Sequence, residues 1–165
     1  TWERLEASPT SRASILTGKA LVAYIMQTVQ ITVVLVLGAA IFGYRPKGSL
    51  LALMAVLLSF SAVLSALGVA IALWSHSRDA ALSMSNIVGM LAAGIGGAFC
   101  TVSSFPDWAQ HAARLSPAYW ANSAINKVSL DGLGFTDIAP QIGALLGFFA
   151  AFAALALIKF RYHKE

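Results

Sequence analysis

The chain has 165 residues, 58% of them hydrophobic and 11% charged, with a net charge of +4 and a mean hydropathy of +0.75. That balance excludes an ordinary water-soluble domain. It also gives nucleic acid no footing, because the Lys and Arg residues sit at the ends of apolar blocks rather than on one polar face.

A single cysteine, Cys100, rules out an intrachain disulfide, and His76, His111 and His163 are too widely separated for a local metal-ligand motif. No metal site is expected.

In chain order, residues 3–20 (ERLEASPTSRASILTGKA) gather five charges, at Glu3, Arg4, Glu6, Arg12 and Lys19. Pro9 divides the stretch into two short helical pieces. Residues snorkelling beside a membrane would explain the basic groups, but acidic groups contribute little to topology. A kinked element of mixed sign suits the docking of a protein partner.

The first apolar block, 20–43, has about 24 residues, and a helix needs only about 20 to cross the hydrocarbon. Pro46 and Gly48 interrupt the chain before a second block, 49–74, long enough to cross back with tilt. SHSRDA, 75–80, leads into a third block, 81–101, whose glycine-rich end is tolerated in lipid. The last, 141–159, is charge-free up to Lys159. The expected fold is all-α: a polytopic membrane helix bundle with four transmembrane helices, a cytoplasmic helical region at 1–19 and short re-entrant helices in the outer leaflet.

Seven basic residues (Arg4, Arg12, Lys19, Arg78, Lys159, Arg161, Lys164) fall on one side of these spans and four (Arg45, Lys47, Arg114, Lys127) on the other. The positive-inside rule therefore places both ends and the 75–80 loop in the cytoplasm, with Arg45 and Lys47 pulling mildly the other way.

Lipid supplies no hydrophobic drive between helices, so small residues and polar groups must help to hold them. Small residues recur every fourth position at Ala62/Ala66/Ala70, Gly89/Ala93/Gly97 and Gly143/Gly147/Ala151, and assembly of the bundle explains them better than a ligand does. Tyr24, Gln27 and Gln30 share a face of the first span, as do Ser83 and Asn86 on the third. These five either bond helix to helix or line a substrate path.

Residues 102–140 are too long for a turn and too polar to cross. Phe105-Pro106-Asp107 reads as a helix start, with Trp108, Ala112 and Leu115 on one face. Ser116-Pro117 ends that helix and opens another, in which Tyr119, Trp120, Ile125 and Val128 supply the apolar side chains. Trp108, Tyr119 and Trp120 favour a membrane interface, as an external gate or as a simple anchor. Phe105, Pro106, Trp108, Pro117, Tyr119 and Trp120 are the candidate gate residues.

The stretch TWERLEASPTSRASILTGKA resembles the motif GT-x-E-R-L-x-A-S-P-x-S-R-x-x-I-L-x-G-K of permease subunits of type-2 ATP-binding-cassette exporters. Thr1, Glu3, Arg4, Leu5, Ala7, Ser8, Pro9, Ser11, Arg12, Ile15, Leu16, Gly18 and Lys19 carry the match. FPDWAQHAARLSPAYW is similar to that family's outer segment through Pro106, Trp108, Leu115, Ser116, Pro117, Tyr119 and Trp120.

The resemblance implies that the stretch before the first span forms a coupling helix seated on an ATPase subunit, with Glu3, Arg4, Leu5, Ser8, Pro9 and Arg12 as its contacts. It also implies a C-terminal part of a longer permease, a second permease copy as partner, and a bacterial inner membrane as location. The cargo it implies is amphipathic: a drug, an antibiotic or a lipid.

No cofactor is expected on this chain, since a P-loop needs a glycine where Ala13 stands and Ser or Thr where Ala20 stands; Mg-ATP would bind the partner. The rival reading is a membrane scaffold that moves nothing. An intramembrane enzyme finds no paired acid, HExxH or nucleophile–base set in the spans.

Overall fold

The structure is a computed structural model that describes residues 12–43, 47–99 and 101–162. Among these residues every regular element is helical. The helices are α1 (Arg12–Phe42), α2 (Leu50–Trp74), α3 (Arg78–Ile95), α4 (Asp107–Ala113), α5 (Pro117–Ser129) and α6 (Ala139–Tyr162), with 3-10 turns at Val102–Ser104 and Thr136–Ile138.

Three segments, Leu16–Ile41, Leu50–Trp74 and Thr136–Phe160, are long and apolar enough to cross a membrane. The third of the four expected spans is where the structure differs. α3 has 18 residues, about 27 Å of rise against a hydrocarbon core of about 30 Å. Charged Arg78 and Asp79 occupy its first turn, and the chain leaves the helix at Gly96 and Gly97, the latter at φ +85°, short of the expected end at Thr101. At the other end of the chain, α1 runs unbroken across the expected boundary between the cytoplasmic region and the first span.

Local chemistry sets the tight turn between α2 and α3. The Ser75 amide and hydroxyl both donate to the Ile71 carbonyl, at 3.0 and 2.7 Å, which closes α2. Ser77 then caps α3 by accepting from the Ala80 amide at 3.1 Å, with Asp79 near the positive end of the helix dipole.

α2 is the axis of the bundle. Its inner faces carry Ala52, Leu53, Val56 and Val63, all buried against Ala121, Ala124 and Val128 of α5 and against Ile138 and Leu145. α6 runs parallel to α2, and at their shared far end the Lys159 ammonium lies 5.2 Å from the centroid of the Trp74 ring, a cation–π contact. On its other side α2 holds α1, to which Ser65 Oγ donates at the Ala20 carbonyl (2.9 Å).

Of the three small-residue stripes, the one on α2 is packed, with Ala66 and Ala70 buried. Gly143, Gly147 and Ala151 on α6 are exposed instead, and α6 meets the rest of the core through Ile142, Leu145, Phe148 and Phe152. α1 buries little and exposes Leu21, Met26, Val33 and Val34, the surface of a helix whose solvent is lipid.

At the end of the bundle where α2 begins, called here the distal end, the chain closes on itself through backbone. Lys47 N donates to Ser129 O (3.2 Å), Gly48 N to Val128 O (2.9 Å) and Leu133 N to Lys127 O (3.2 Å). Only glycine fits at 48, since a Cβ there would meet Val128 O at 2.5 Å and Leu133 O at 2.7 Å, both fixed backbone atoms.

Gly48→Ala is therefore expected to destabilise the protein by about 1–3 kcal/mol. Gly68→Ala, in the middle of α2 with open space around it, should be neutral or slightly stabilising. Thermal denaturation of the two variants in detergent checks both.

Candidate functional site

The two short helices expected in segment 102–140 form at Asp107–Ala113 and Pro117–Ser129. Pro106 stands at the N-cap position of α4. The turn before that helix is fixed by Gln110 Nε2, which donates to Phe105 O at 2.9 Å. Trp120 Nε1 reaches back to Arg114 O at 2.8 Å and folds α5 against α4.

α5 is a wedge set into the bundle. Its buried face is Pro117, Ala121, Ala124 and Val128, a run of small residues at i, i+4, i+7 and i+11 that lets the α5 backbone approach α2 and α6 closely. Its start lies against the end of α3: a Cβ on Gly96 would come within 2.6 Å of Ala118 Cβ and 2.9 Å of Tyr119 N.

Two side chains of this segment donate to carbonyls at the end of α3, where Ala92 O also accepts from the Gly96 amide at 2.8 Å. Ser116 Oγ donates to Ala92 O at 2.9 Å, and Asn122 Nδ2 to Gly96 O at 3.3 Å. A helix end in a low-dielectric setting needs such donors, because an unpaired backbone carbonyl there has no water to replace them.

At the distal end Gln141, buried at the start of α6, joins α6 to α5. With its amide oriented by the hydrogen-bond network, its oxygen accepts from Lys127 Nζ at 2.8 Å and its nitrogen donates to Ile138 O at 3.2 Å.

The candidate gate residues take different places. Trp108 projects from α4 and is 76% exposed, while Phe105 is half-buried and Pro106 exposed. Pro117 is buried at the first turn of α5. Tyr119 and Trp120 are half-buried with their rings edge to face, 5.5 Å apart; Trp120 also touches the core.

The candidate path residues fall into two groups that the structure does not bring together. Tyr24, Gln27 and Gln30 lie on α1, and Ser83 and Asn86 on α3; α1 and α3 each pack on α2 and share no packed face. Gln30, Ser83 and Asn86 are exposed. Glu3, Arg4, Leu5, Ser8 and Pro9 lie outside the described residues, and Arg12 is the first residue of α1.

Sequence reasoning passed over Ser116, Asn122, Lys127 and Gln141 as site residues, and with them a polar cavity of about 310 Å3 between the end of α3 and α5. Thr101, Tyr119, Asn122 and Asn126 line it, with Lys127 and Asp131 at its edge. The signal for the packing was present as Pro117/Ala121/Ala124/Val128, small residues at helical spacing on the face away from the large aromatics.

Residues 1–158 match the ABC-2 family transporter proteins. The chain belongs to that family. It is similar to the linearmycin resistance permease protein LnrN of Bacillus subtilis (strain 168), 27% identical over 154 residues. That alignment covers 93% of this chain and 40% of the relative, so the chain spans under half of the relative's length. No solved structure matches. The family membership and the long apolar helices make this a multi-pass membrane protein of the permease class.

Asn122→Ala leaves the Gly96 carbonyl just past α3 without its side-chain donor, and Ser116→Ala removes the second donor to Ala92 O; each should lower unfolding stability in lipid by about 1 kcal/mol. Thr28→Val serves as the reference, since the Thr28 hydroxyl bonds only within its own helix, to Tyr24 O at 2.8 Å. Titration with a denaturing detergent, followed by circular dichroism, gives the order: Thr28→Val near wild type, the other two below it.

Proposed function

We propose that the chain is the membrane-spanning part of an ATP-binding-cassette exporter, carrying an amphipathic drug, antibiotic or lipid out of the cytoplasm while a partner subunit binds and hydrolyses Mg-ATP. The match of residues 1–158 to the ABC-2 family transporter proteins carries this reading. The word "resistance" in the relative's name favours outward transport of a harmful compound.

In this reading the protein sits in the inner membrane with both ends in the cytoplasm. α3 serves as the third of the four spans, completed at the distal, outward end by the wedge of α4 and α5. Glu3, Arg4, Leu5, Ser8, Pro9 and Arg12 dock the ATPase, with the charged members making charge-assisted hydrogen bonds. Because α1 is one continuous helix from Arg12, a push at its start is carried along its length rather than absorbed in a loop.

A second permease copy supplies the other wall of the path. Polar groups in hydrocarbon need partners, and among the described residues Gln30, Ser83 and Asn86 present exposed side chains that have none in this chain. ATP-driven closure of the partner subunits then rocks two bundles between inward- and outward-facing states. Phe105, Pro106, Trp108, Pro117, Tyr119 and Trp120 form the outer gate.

The test is a paired charge reversal, Glu3→Lys with Arg4→Glu, in the full-length permease reconstituted with its ATPase. Export and cargo-stimulated ATP hydrolysis should both fall, by roughly tenfold for the loss of one charge-assisted contact, with membrane insertion unchanged. Wild-type export and stimulation in this variant would overturn the docking role.

A further inference from the structure

The polar cavity between α3 and α5 has a composition that packing alone does not ask for. Beside glycines, Val102 and two charged side chains, its lining carries hydroxyls and carboxamides: Thr101, Tyr119, Asn122, Ser123 and Asn126. Each such group can both donate and accept a hydrogen bond, or offers a donor and an acceptor side by side. The chemical partner that matches these groups is another hydroxyl.

Charge points the same way. The cavity edge carries one cation, Lys127, and one anion, Asp131, and the Lys127 ammonium is already engaged by the Gln141 amide at 2.8 Å. No surplus positive charge remains for a phosphate, and no cluster of acids for a cation. A volume of about 310 Å3 stands at the small end of ligand sites, ~300–1,000 Å3.

Position adds the apolar half of the ligand. Gly96 and Gly97 line the cavity, while Ile95 and Phe99 on either side of them expose large apolar side chains, Phe99 to 76%. A molecule with its head in the cavity can lay its tail along that surface. Irregular backbone at membrane depth is tolerated where it lines a cavity of this kind, which fits the unwinding of α3 at this level.

We infer that the cavity receives the uncharged, hydroxyl-rich head group, a sugar or polyol, of an amphipathic molecule. As a station for exported cargo this rests on the exporter reading; as a binding site it does not. Tyr119 offers a ring face to the apolar side of a sugar, and Asn122 and Asn126 offer amides to its hydroxyls.

The experiment uses the full-length permease in phosphatidylcholine nanodiscs, without ATP, and compares monoglucosyl diacylglycerol with diacylglycerol of the same chains by native mass spectrometry. The glucosyl lipid should bind roughly tenfold or more tightly, as two added hydrogen bonds require. Asn126→Leu, which fills the cavity from a position whose amide has no partner of its own, should abolish the preference. Asn126→Asp, of the same shape, should weaken it with the unliganded melting temperature unchanged.

Equal binding of the two lipids, or a preference that survives both substitutions, overturns the site. Full occupancy by an excess of free glucose, excluding the glucosyl lipid, overturns the assignment to an amphipathic ligand, whereas failure of glucose to displace the lipid supports it. Because neither transport nor hydrolysis is read, a negative result leaves the exporter reading intact, and an inert Glu3/Arg4 reversal would leave this site intact.

Discussion

A backbone carbonyl in hydrocarbon has no water to fall back on, and the end of α3 is where this chain meets that constraint. The helix stops at Ile95, after about 27 Å of rise, and its last carbonyls must find donors from elsewhere. Asn122 donates to Gly96 O, and Ser116 adds a second donor to Ala92 O beside the Gly96 amide, which requires α5 to sit beside α3 rather than float at a surface. α5 in turn reaches that place only because Ala121, Ala124 and Val128 let it close on α2, and because Gly48 admits the carbonyls of Val128 and Leu133. The distal half of the bundle is thus one interlocked unit, and among the described residues the hydrophobic core gathers there around Ala52, Leu53, Val128 and Ile138.

The opposite end is held differently. Between α2 and α6 the Lys159 ammonium lies over the Trp74 ring, and between α1 and α2 the Ser65 hydroxyl donates to the Ala20 carbonyl.

Much of this was legible in the sequence. Long apolar blocks with breakers at Pro46, Gly48 and 75–80 marked α1, α2 and α6, because a span in lipid has few ways to be anything but a helix. Ser116-Pro117 marked the start of α5 for an equally local reason. The end of α3 was misjudged by periodicity alone: Ala98, Phe99 and Cys100 are apolar enough to extend a span, and only the two glycines, one at positive φ, show that the chain turns. Of the apolar residues expected on α5, Val128 is buried and Trp120 and Ile125 pack against the core; its buried alanines, Ala121 and Ala124, were passed over because apolar size was weighted over closeness. Large Tyr119, Trp120 and Ile125 flank the contact while alanines make it. Gln141 and Lys127, fourteen residues apart, carry no sequence pattern that pairs them; only the return of α6 to α5 does so.

The account stands on α5 being locked to the start of α2, and a disulfide can test that lock directly. A Cβ on Gly132 would lie 3.5 Å from Lys47 Cβ, within the ~3.5–4.5 Å that a disulfide spans. With Cys100 replaced by serine, Lys47→Cys and Gly132→Cys should join on mild oxidation in native membranes, despite the modest strain of a cysteine at φ +70°. Two cysteines that each react with a maleimide yet never join to one another would contradict the wedge, and with it the architecture of the distal end.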